Sequence, residues 1–137
     1  MRECGECTLC CKIIGVQTLN KPQHVWCPHC KIGSGCTIYE TRPQSCCAYR
    51  CRFLVDESLD ESWRPSRCGM VINTDRRRVV VQVDPERGDA WRQAPYYATF
   101  KQWAHTALPG WPVFITIGKR VIGVYTNRDV PIAMKLP

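Results

Sequence analysis

The sequence predicts an α+β protein in which a cysteine-rich, loop-dominated metal-binding module is joined to a small antiparallel sheet (ββαββ) with one packed helix. Two observations support this prediction. Ten of the eleven cysteines fall within the first 51 residues, and the rest of the chain contains β-branched runs and one helical pattern. We therefore expect residues 1–68 to form the metal-binding module with its connector, and residues 69–137 to form an α+β layer packed with it as one unit.

The first 51 residues show neither a helical nor an alternating apolar period, and glycine and proline interrupt them repeatedly. A segment of this kind buries too little side chain to fold by itself, so a cross-link such as a metal must stabilise it. One short helical turn is expected in "CTIYETRP", ending before Pro43 because proline excludes the preceding residue from the helical region. Residues 52–68, in which acidic residues precede Trp63, Arg64 and Pro65, are predicted to be a connector.

Two hairpins are predicted in the second half of the chain. In "GMVINTDRRRVVVQVD", two β-branched runs flank the polar residues 73–76, which we expect to form the first turn. In "VFITIGKRVIGVYT", the second turn is expected at Gly118-Lys119. The two hairpins together supply the four strands of the predicted sheet.

One helix is predicted between the two hairpins. Residues at helical spacing mark its apolar side, namely Tyr96, Phe100, Trp103 and Ala107. Pro95 suits the first helical turn, and Pro109-Gly110 is expected to end the helix. The simplest arrangement of two hairpins and one helix is an antiparallel sheet with the helix packed on one face.

The cysteine content raises three alternatives, which are disulfides, a metal site and reactive thiols. A secreted disulfide protein would begin with a basic segment and an apolar stretch, whereas this sequence opens with "MRECGECTLC". It also has no apolar run of about 20 residues that could span a membrane. We therefore expect a cytoplasmic protein with no membrane partner, whose thiols stay reduced, and dense cysteine then indicates metal binding.

The formal net charge of +7 would suit a nucleic-acid partner, but this value counts every cysteine as neutral. Metal ligation deprotonates cysteine, so much of the basic excess would balance thiolate charge. The run Arg76-Arg77-Arg78 lies at a predicted hairpin turn, where charged side chains are usually solvated. The sequence therefore disfavours a nucleic-acid partner.

Three cysteine motifs follow one another, in "CGECTLCC", "WCPHCKIGSGC" and "CTIYETRPQSCCAYRC". The first begins with a C-x2-C-x2-C spacing that suits a [4Fe–4S] cluster with a distant fourth cysteine, and it suits zinc equally well. In the second, glycines after the C-x2-C turn allow the chain to bend back and direct N–H groups at the thiolates. Three roles stay open for His29: a ligand, a hydrogen-bond donor to a ligand, or an exposed side chain.

The whole pattern is C-x2-C-x2-C-C, then W-C-x-H-C-x2-G-x-G-C-x-I-Y-E-x-R-P-x2-C, then a last cysteine. It resembles the YkgJ-type cysteine-cluster family, a CxxCxxCC domain described as zinc- or iron-chelating, and the resemblance covers residues 4–51. It implies a metal-chelating domain related to the cysteine-rich part of flagellin lysine N-methylases. The metal ligands that it implies are Cys4, Cys7, Cys10, Cys11, Cys27, Cys30, Cys36, Cys46 and Cys51. Four other residues match the signature, namely His29, Tyr39, Arg42 and Pro43.

One position departs from the expected family pattern. Cys47 stands where the family is expected to favour arginine, and the extra thiol leaves the number of metal ions open. Cys47 and Cys68 are the candidates for cysteines that are not ligands. Each is expected to be a small buried side chain, with a reactive thiol as the alternative.

Nine thiolates exceed the four ligands of one tetrahedral zinc site, so we expect paired sites or a polynuclear cluster with bridging thiolates. Thiolates suit both zinc and iron, and the glycine-backed turn favours Zn²⁺ slightly over iron or a [4Fe–4S] cluster. The predicted function is metal chelation, and all-sulfur coordination disfavours a hydrolytic zinc enzyme because it leaves no position for water. One alternative is an iron–sulfur accessory or redox protein that supports an enzyme partner. A weaker one is a zinc scaffold for a protein or nucleic-acid partner.

Overall fold

The computed structural model of the protein describes residues 7–41, 51–75, 78–106 and 111–132. Helices are combined with a two-stranded sheet and a five-stranded sheet, so the protein is α+β as predicted. The chain divides into two compact units, Met1–Val71 and Ile72–Pro137. In the part of the chain that the structure describes, no helix has the length and apolar character needed to cross a membrane.

The first unit is built from short elements. Its helices within the described residues are α1 (Leu9–Ile13), α2 (Arg52–Val55) and α3 (Pro65–Cys68). Its strands β1 (Cys30–Lys31) and β2 (Gly35–Cys36) pair antiparallel. The helical turn expected in "CTIYETRP" is present as a 3-10 turn at Tyr39–Thr41, whereas Pro43 lies outside the described residues.

The predicted connector, residues 52–68, contains α2, a 3-10 turn at Glu61–Trp63, and α3. Its apolar side chains contribute to the core of the first unit, namely Phe53, Leu54, Leu59 and Trp63. The Arg64 guanidinium lies 4.8 Å from the centroid of the Phe53 ring. Helix α3 contacts both the Glu61–Trp63 turn and α1, so the segment adds packing to the helix that carries the first cysteines.

The five-stranded sheet has the order β3–β4–β5–β6–β7. Its strands are β3 (Met70–Asp75), β4 (Arg78–Val83), β5 (Val113–Ile117), β6 (Arg120–Val124) and β7 (Asp129–Ile132). Helix α4 (Tyr96–Thr106) lies between β4 and β5 in the sequence and packs against β5 and β6. Alternate residues of β4 are buried, so one face of this strand belongs to the core.

The prediction of an antiparallel sheet is wrong, because β4 and β5 pair in parallel while β5–β6 and β6–β7 are antiparallel. The segment that joins β4 to β5 contains α4 and is long enough for a crossover. A crossover returns the chain to the end of the sheet from which β4 started, so that β5 runs in the same direction as β4. The sheet is therefore mixed.

The two predicted hairpins differ in how well their turns agree with the structure. The second is confirmed: Ile117 pairs with Arg120, and Gly118 has φ of 60° in the two-residue turn Gly118-Lys119. At the first, β3 continues through Asp75, so the turn expected at 73–76 is wrong in its bounds. Arg76, Arg77, Ala107 and Pro109-Gly110, which were expected at turns or at the helix end, lie outside the described residues.

Gly123 in β6 is closely surrounded by side chains, and we expect Gly123→Ala to destabilise the second unit. A Cβ atom there would lie 2.7 Å from Ile132 Cδ1, 3.2 Å from Tyr125 Cε2 and 3.3 Å from Pro112 Cβ. Forcing an extra methyl group into a packed site costs about 1–3 kcal/mol. Urea unfolding of the variant and the wild type would measure this loss.

Gly88→Ala is the matched control for this substitution. Gly88 has φ of −57° and ψ of −22°, and a Cβ atom there would have no neighbour closer than 3.8 Å. Alanine at such a position is expected to be neutral or to stabilise by up to about 1 kcal/mol, because it restricts the unfolded chain. Equal effects of the two substitutions would contradict the close packing at Gly123.

Candidate metal centre

Seven of the nine predicted ligands lie in the described residues, all with free thiols. Three of them are buried, namely Cys7, Cys27 and Cys51, and four are half-buried, namely Cys10, Cys11, Cys30 and Cys36. Cys4 and Cys46 lie outside the described residues, as does Cys47. The geometry of the predicted site can therefore be followed at seven of its nine positions.

Helix α1 positions the adjacent thiols of Cys10 and Cys11. It ends after one turn because Ile14 is extended. Neighbouring residues on a helix point about 100° apart. The Cys11 side chain nevertheless hydrogen-bonds with that of Cys10. The two thiols therefore belong to one local group.

Backbone hydrogen bonds bring the second cysteine motif to α1. The Cys27 N–H donates to the Cys11 carbonyl at 3.0 Å, and the Cys30 N–H donates to the Cys27 carbonyl at 2.9 Å, which closes the C-x2-C turn. The Gly33 N–H donates to the Thr8 hydroxyl oxygen at 3.1 Å, so the β1–β2 turn is attached to the residue before α1. Gly33 has φ of 77°, which a residue with a side chain adopts only with strain.

These links place four cysteines together, which we call the thiol cluster: Cys10, Cys11, Cys27 and Cys30. The Cys11 side chain hydrogen-bonds with those of Cys10 and Cys30, and Cys27 interacts electrostatically with Cys30. Cys36 lies opposite Cys30 in the β1–β2 pair. Directly opposite residues project to the same face of a sheet, so Cys36 borders the cluster.

Crowding of the thiols makes their ionised forms unfavourable. The hydrogen bond with Cys10 raises the pKa of Cys11 far above its usual value, and burial and negative charge at Cys10 act in the same direction. Burial, followed by the charge of Cys11, raises the pKa of Cys30 to about 12. A bound cation would instead lower the pKa of the thiols, because it stabilises each thiolate that ligates it.

Cys7 and Cys51 are two further predicted ligands that interact with each other. Both are buried, and Cys51 occupies the N-cap position of α2. Burial raises the pKa of Cys51, and negative charge at Cys7 raises it further, so the two thiols interact.

As they stand, the described residues contain no group of three His, Cys, Asp or Glu side chains that could hold a metal ion. The thiols of the cluster would have to turn toward a common point for an ion to be bound there. His29 is half-buried, and its carbonyl oxygen accepts hydrogen bonds from the Thr37 N–H at 2.7 Å and the Thr37 hydroxyl at 2.8 Å. Those contacts fix the backbone after the C-x2-C turn and leave the role of the imidazole open.

Cys68 has different surroundings from the predicted ligands. It is 1% exposed, and its sulfur lies 3.4 Å from the Met70 carbonyl oxygen and 3.5 Å from that of Trp63. A thiol with carbonyl acceptors at these distances behaves as a small buried side chain with a weak S–H donor.

Sequence reasoning missed two buried lysines beside the thiol cluster. Lys21 is 5% exposed, and its ammonium group donates to the backbone carbonyls of Lys12 at 3.0 Å, Pro22 at 2.9 Å, and Ile14. Lys12 is 6% exposed, and its ammonium nitrogen lies 5.8 Å from the centroid of the Trp26 ring. Lysine is almost always exposed, so its presence in a sequence carries no signal of burial.

Comparison with known proteins leaves the resemblance to the YkgJ-type cysteine-cluster family as a prediction. A matching protein of known structure or function would have allowed its metal and ligands to be assigned to residues of this chain. The site has to be interpreted from its own residues, because no protein-family model, no curated protein and no solved structure matches the chain.

Proposed function

We propose that this protein chelates zinc or iron through cysteine thiolates, with zinc favoured. The observation that carries the proposal is the thiol cluster, in which the Cys11 side chain hydrogen-bonds with both Cys10 and Cys30 while the Cys27 backbone is bonded to Cys11. Residues from two motifs separated in the sequence are thereby brought together. Four thiolates are the ligand set of a closed tetrahedral zinc site.

Metal binding would also change the charge state of the cluster. The raised pKa values of Cys11 and Cys30 mean that these thiols are protonated at neutral pH without a cation. A metal ion that displaces the protons would compensate the negative charge of the resulting thiolates and cross-link α1 to the β1–β2 turn. Metal-binding free energy then becomes folding free energy for a unit made of short elements.

Nine predicted thiolate ligands exceed the four of one tetrahedral zinc site, so the proposal includes more than one metal ion per chain. In this proposal the protein acts in the cytoplasm, where thiols stay reduced, and its partners are metal ions together with any protein that receives the metal or docks on the module. Neither a catalytic role nor a nucleic-acid partner is part of the proposal.

Anaerobic purification followed by metal analysis and a visible spectrum on the same sample would test the proposal. Zinc at one or more ions per chain with no visible band would support zinc chelation. Iron with matching sulfide and a band near roughly 400 nm that bleaches on reduction would instead support the iron–sulfur alternative. If the reduced protein neither contains nor takes up zinc or iron, the proposal is wrong.

Cys11→Ser is expected to weaken metal binding, because it removes the thiol that contacts both Cys10 and Cys30. Loss of a ligand should exceed the roughly 10–100-fold loss of affinity that follows removal of a group supporting a ligand. Competition with a chromophoric chelator under reducing conditions would measure the change.

Cys68→Ser is the matched control, because it makes the same chemical change at a buried thiol whose contacts are carbonyl oxygens. We expect this variant to keep the metal content and affinity of the wild type. If both serine variants lose affinity equally, the thiol cluster is not the binding site.

A further inference from the structure

The register of the β1–β2 hairpin brings the thiols of Cys30 and Cys36 together. The two strands pair antiparallel, with Cys30 directly opposite Cys36 and Lys31 opposite Gly35. Both cysteines are half-buried and have free thiols. Directly opposite residues project to the same face of a sheet, so the backbone of the hairpin limits how far apart these two thiols can lie.

The turn between the strands fixes this register. The Ser34 N–H donates to the Lys31 carbonyl at 2.9 Å, and between these residues Gly33 has φ of 77°, which glycine adopts without strain. The Gly33 N–H donates to the Thr8 hydroxyl oxygen at 3.1 Å, and Thr8 is 3% exposed. The hairpin is therefore closed by its own turn and attached to a buried residue outside it.

The hydrogen bonds around the hairpin make Cys30 and Cys36 a non-hydrogen-bonded pair. One residue further out, the Thr37 N–H donates to the His29 carbonyl at 2.7 Å. Hydrogen-bonded and non-hydrogen-bonded pairs alternate along an antiparallel ladder, so the cysteine pair belongs to the second kind. The Cα atoms of such a pair are about 4.5 Å apart, and disulfides join Cα atoms that are about 4.4–6.8 Å apart. The strands can therefore be bridged without a large movement of the backbone.

We propose that Cys30 and Cys36 form a redox modification site, which closes a reversible cross-strand disulfide when the protein meets a low-molecular-weight disulfide. The thiolate of one cysteine attacks the oxidant and displaces one of its two thiolates, which leaves a mixed disulfide on the protein. The thiolate of the other cysteine then attacks the protein sulfur of the mixed disulfide and displaces the second thiolate. Two electrons pass from the cysteine pair to the oxidant, and the two protons of the pair end on the two released thiols.

The geometry also favours reversal of this bond. A Cα separation at the short end of the disulfide range makes the bond easier to reduce, and disulfides in the cytoplasm are usually transient and redox-sensing. Burial raises the pKa of Cys30, which disfavours its thiolate, so the first attack is assigned to Cys36. The inference goes beyond metal chelation and needs no bound ion. In a chelating protein the bond would remove two of the predicted ligands, so oxidation would oppose metal binding.

The test uses the full chain, reduced and then kept in excess chelator, with glutathione disulfide as the oxidant. Cleavage after Lys31 and Tyr39 without reduction separates Cys30 from Cys36, and Cys36 from the later cysteines, so the bond is seen by mass spectrometry as two linked peptides. Wild-type protein is expected to give this linked pair and to lose it in excess dithiothreitol. Cys30→Ser and Cys36→Ser are each expected to lose the linked pair and to keep glutathione on the remaining cysteine.

Cys27→Ser is the matched control, because Cys27 belongs to the same C-x2-C turn, and it is expected to keep the linked pair. A second control combines Cys36→Ser with Thr37→Cys, which moves the thiol to the opposite face of β2, and no bond to Cys30 is expected. Loss of the bond in Cys27→Ser, an equal bond in the shifted variant, or a wild-type bond from Cys30 to Cys11 would overturn the inference. Because no metal takes part, these outcomes leave the proposed function standing, and a protein that binds no metal leaves this inference standing.

Discussion

Removal of the metal by a chelator is expected to lower the stability of the Met1–Val71 unit by about 4 kcal/mol or more, the stabilisation that a ligand provides at roughly a thousand times its Kd. The helices described in this unit, α1, α2 and α3, have four or five residues. Isolated helices shorter than about 12–15 residues are marginal in water, so tertiary cross-links must hold these in place. A metal bound at the thiol cluster would connect α1 to the C-x2-C turn of Cys27 and Cys30.

Amide hydrogen exchange with and without a chelator under reducing conditions would measure this change. Protection is expected to fall in α1, β1 and β2, which surround the thiol cluster. The amides of β5 and β6 provide the internal control, because they belong to the Ile72–Pro137 unit and have their own core. Unchanged exchange in α1 after complete metal removal would contradict a cross-linking role for the metal.

Phe100→Ala is expected to destabilise the second unit by about 3–5 kcal/mol, the usual cost of deleting a fully buried aromatic ring. Phe100 is 0% exposed and lies on α4, which packs against β5 and β6. Its ring centroid is 5.7 Å from that of Trp103, so the substitution also removes an aromatic contact. Urea unfolding, followed by hydrogen exchange at the amides of β5 and β6, would measure the loss.

Gln102→Ala on the same helix is the matched control. Gln102 is exposed, and substitutions at exposed helical positions usually change the free energy of unfolding by less than about 0.5 kcal/mol. A loss below about 1 kcal/mol for Phe100→Ala would show that α4 contributes little to the core. A large loss for Gln102→Ala would assign the effect to the helix itself and not to the buried ring.

Local sequence patterns predicted the elements that depend on local interactions. Helix α4 begins at Tyr96, directly after the proline expected near its start, and the β5–β6 turn lies at Gly118-Lys119. Each of these features follows from spacing or turn chemistry within about a dozen residues. The parallel pairing of β4 with β5 joins strands that are separated by a long connection. The sequence patterns within each hairpin do not show how the two hairpins pair with each other.

Sequence patterns did not predict strand β7 or the buried lysines, because proline usually argues against a strand and lysine is usually exposed. Pro131 lies within β7, and proline argues against a central strand, but β7 ends the strand order, and edge strands tolerate proline. Lys12 and Lys21 are buried although lysine is normally exposed. The metal-ligand set stays a prediction, although a backbone hydrogen bond from Cys27 to Cys11 links the first two cysteine motifs.

The parallel pair β4–β5 has a consequence for the order in which the second unit folds. The meander β5–β6–β7 joins neighbours through short turns, so each of its contacts closes a small loop at little entropic cost. Pairing of β4 with β5 must close a loop that includes the whole of α4, and contacts between residues so distant in the sequence form slowly. We therefore expect the C-terminal meander to act as the template onto which α4 and β4 assemble. During synthesis on the ribosome, β4 would then remain unpaired with β5 until the strands of the meander have left the exit tunnel.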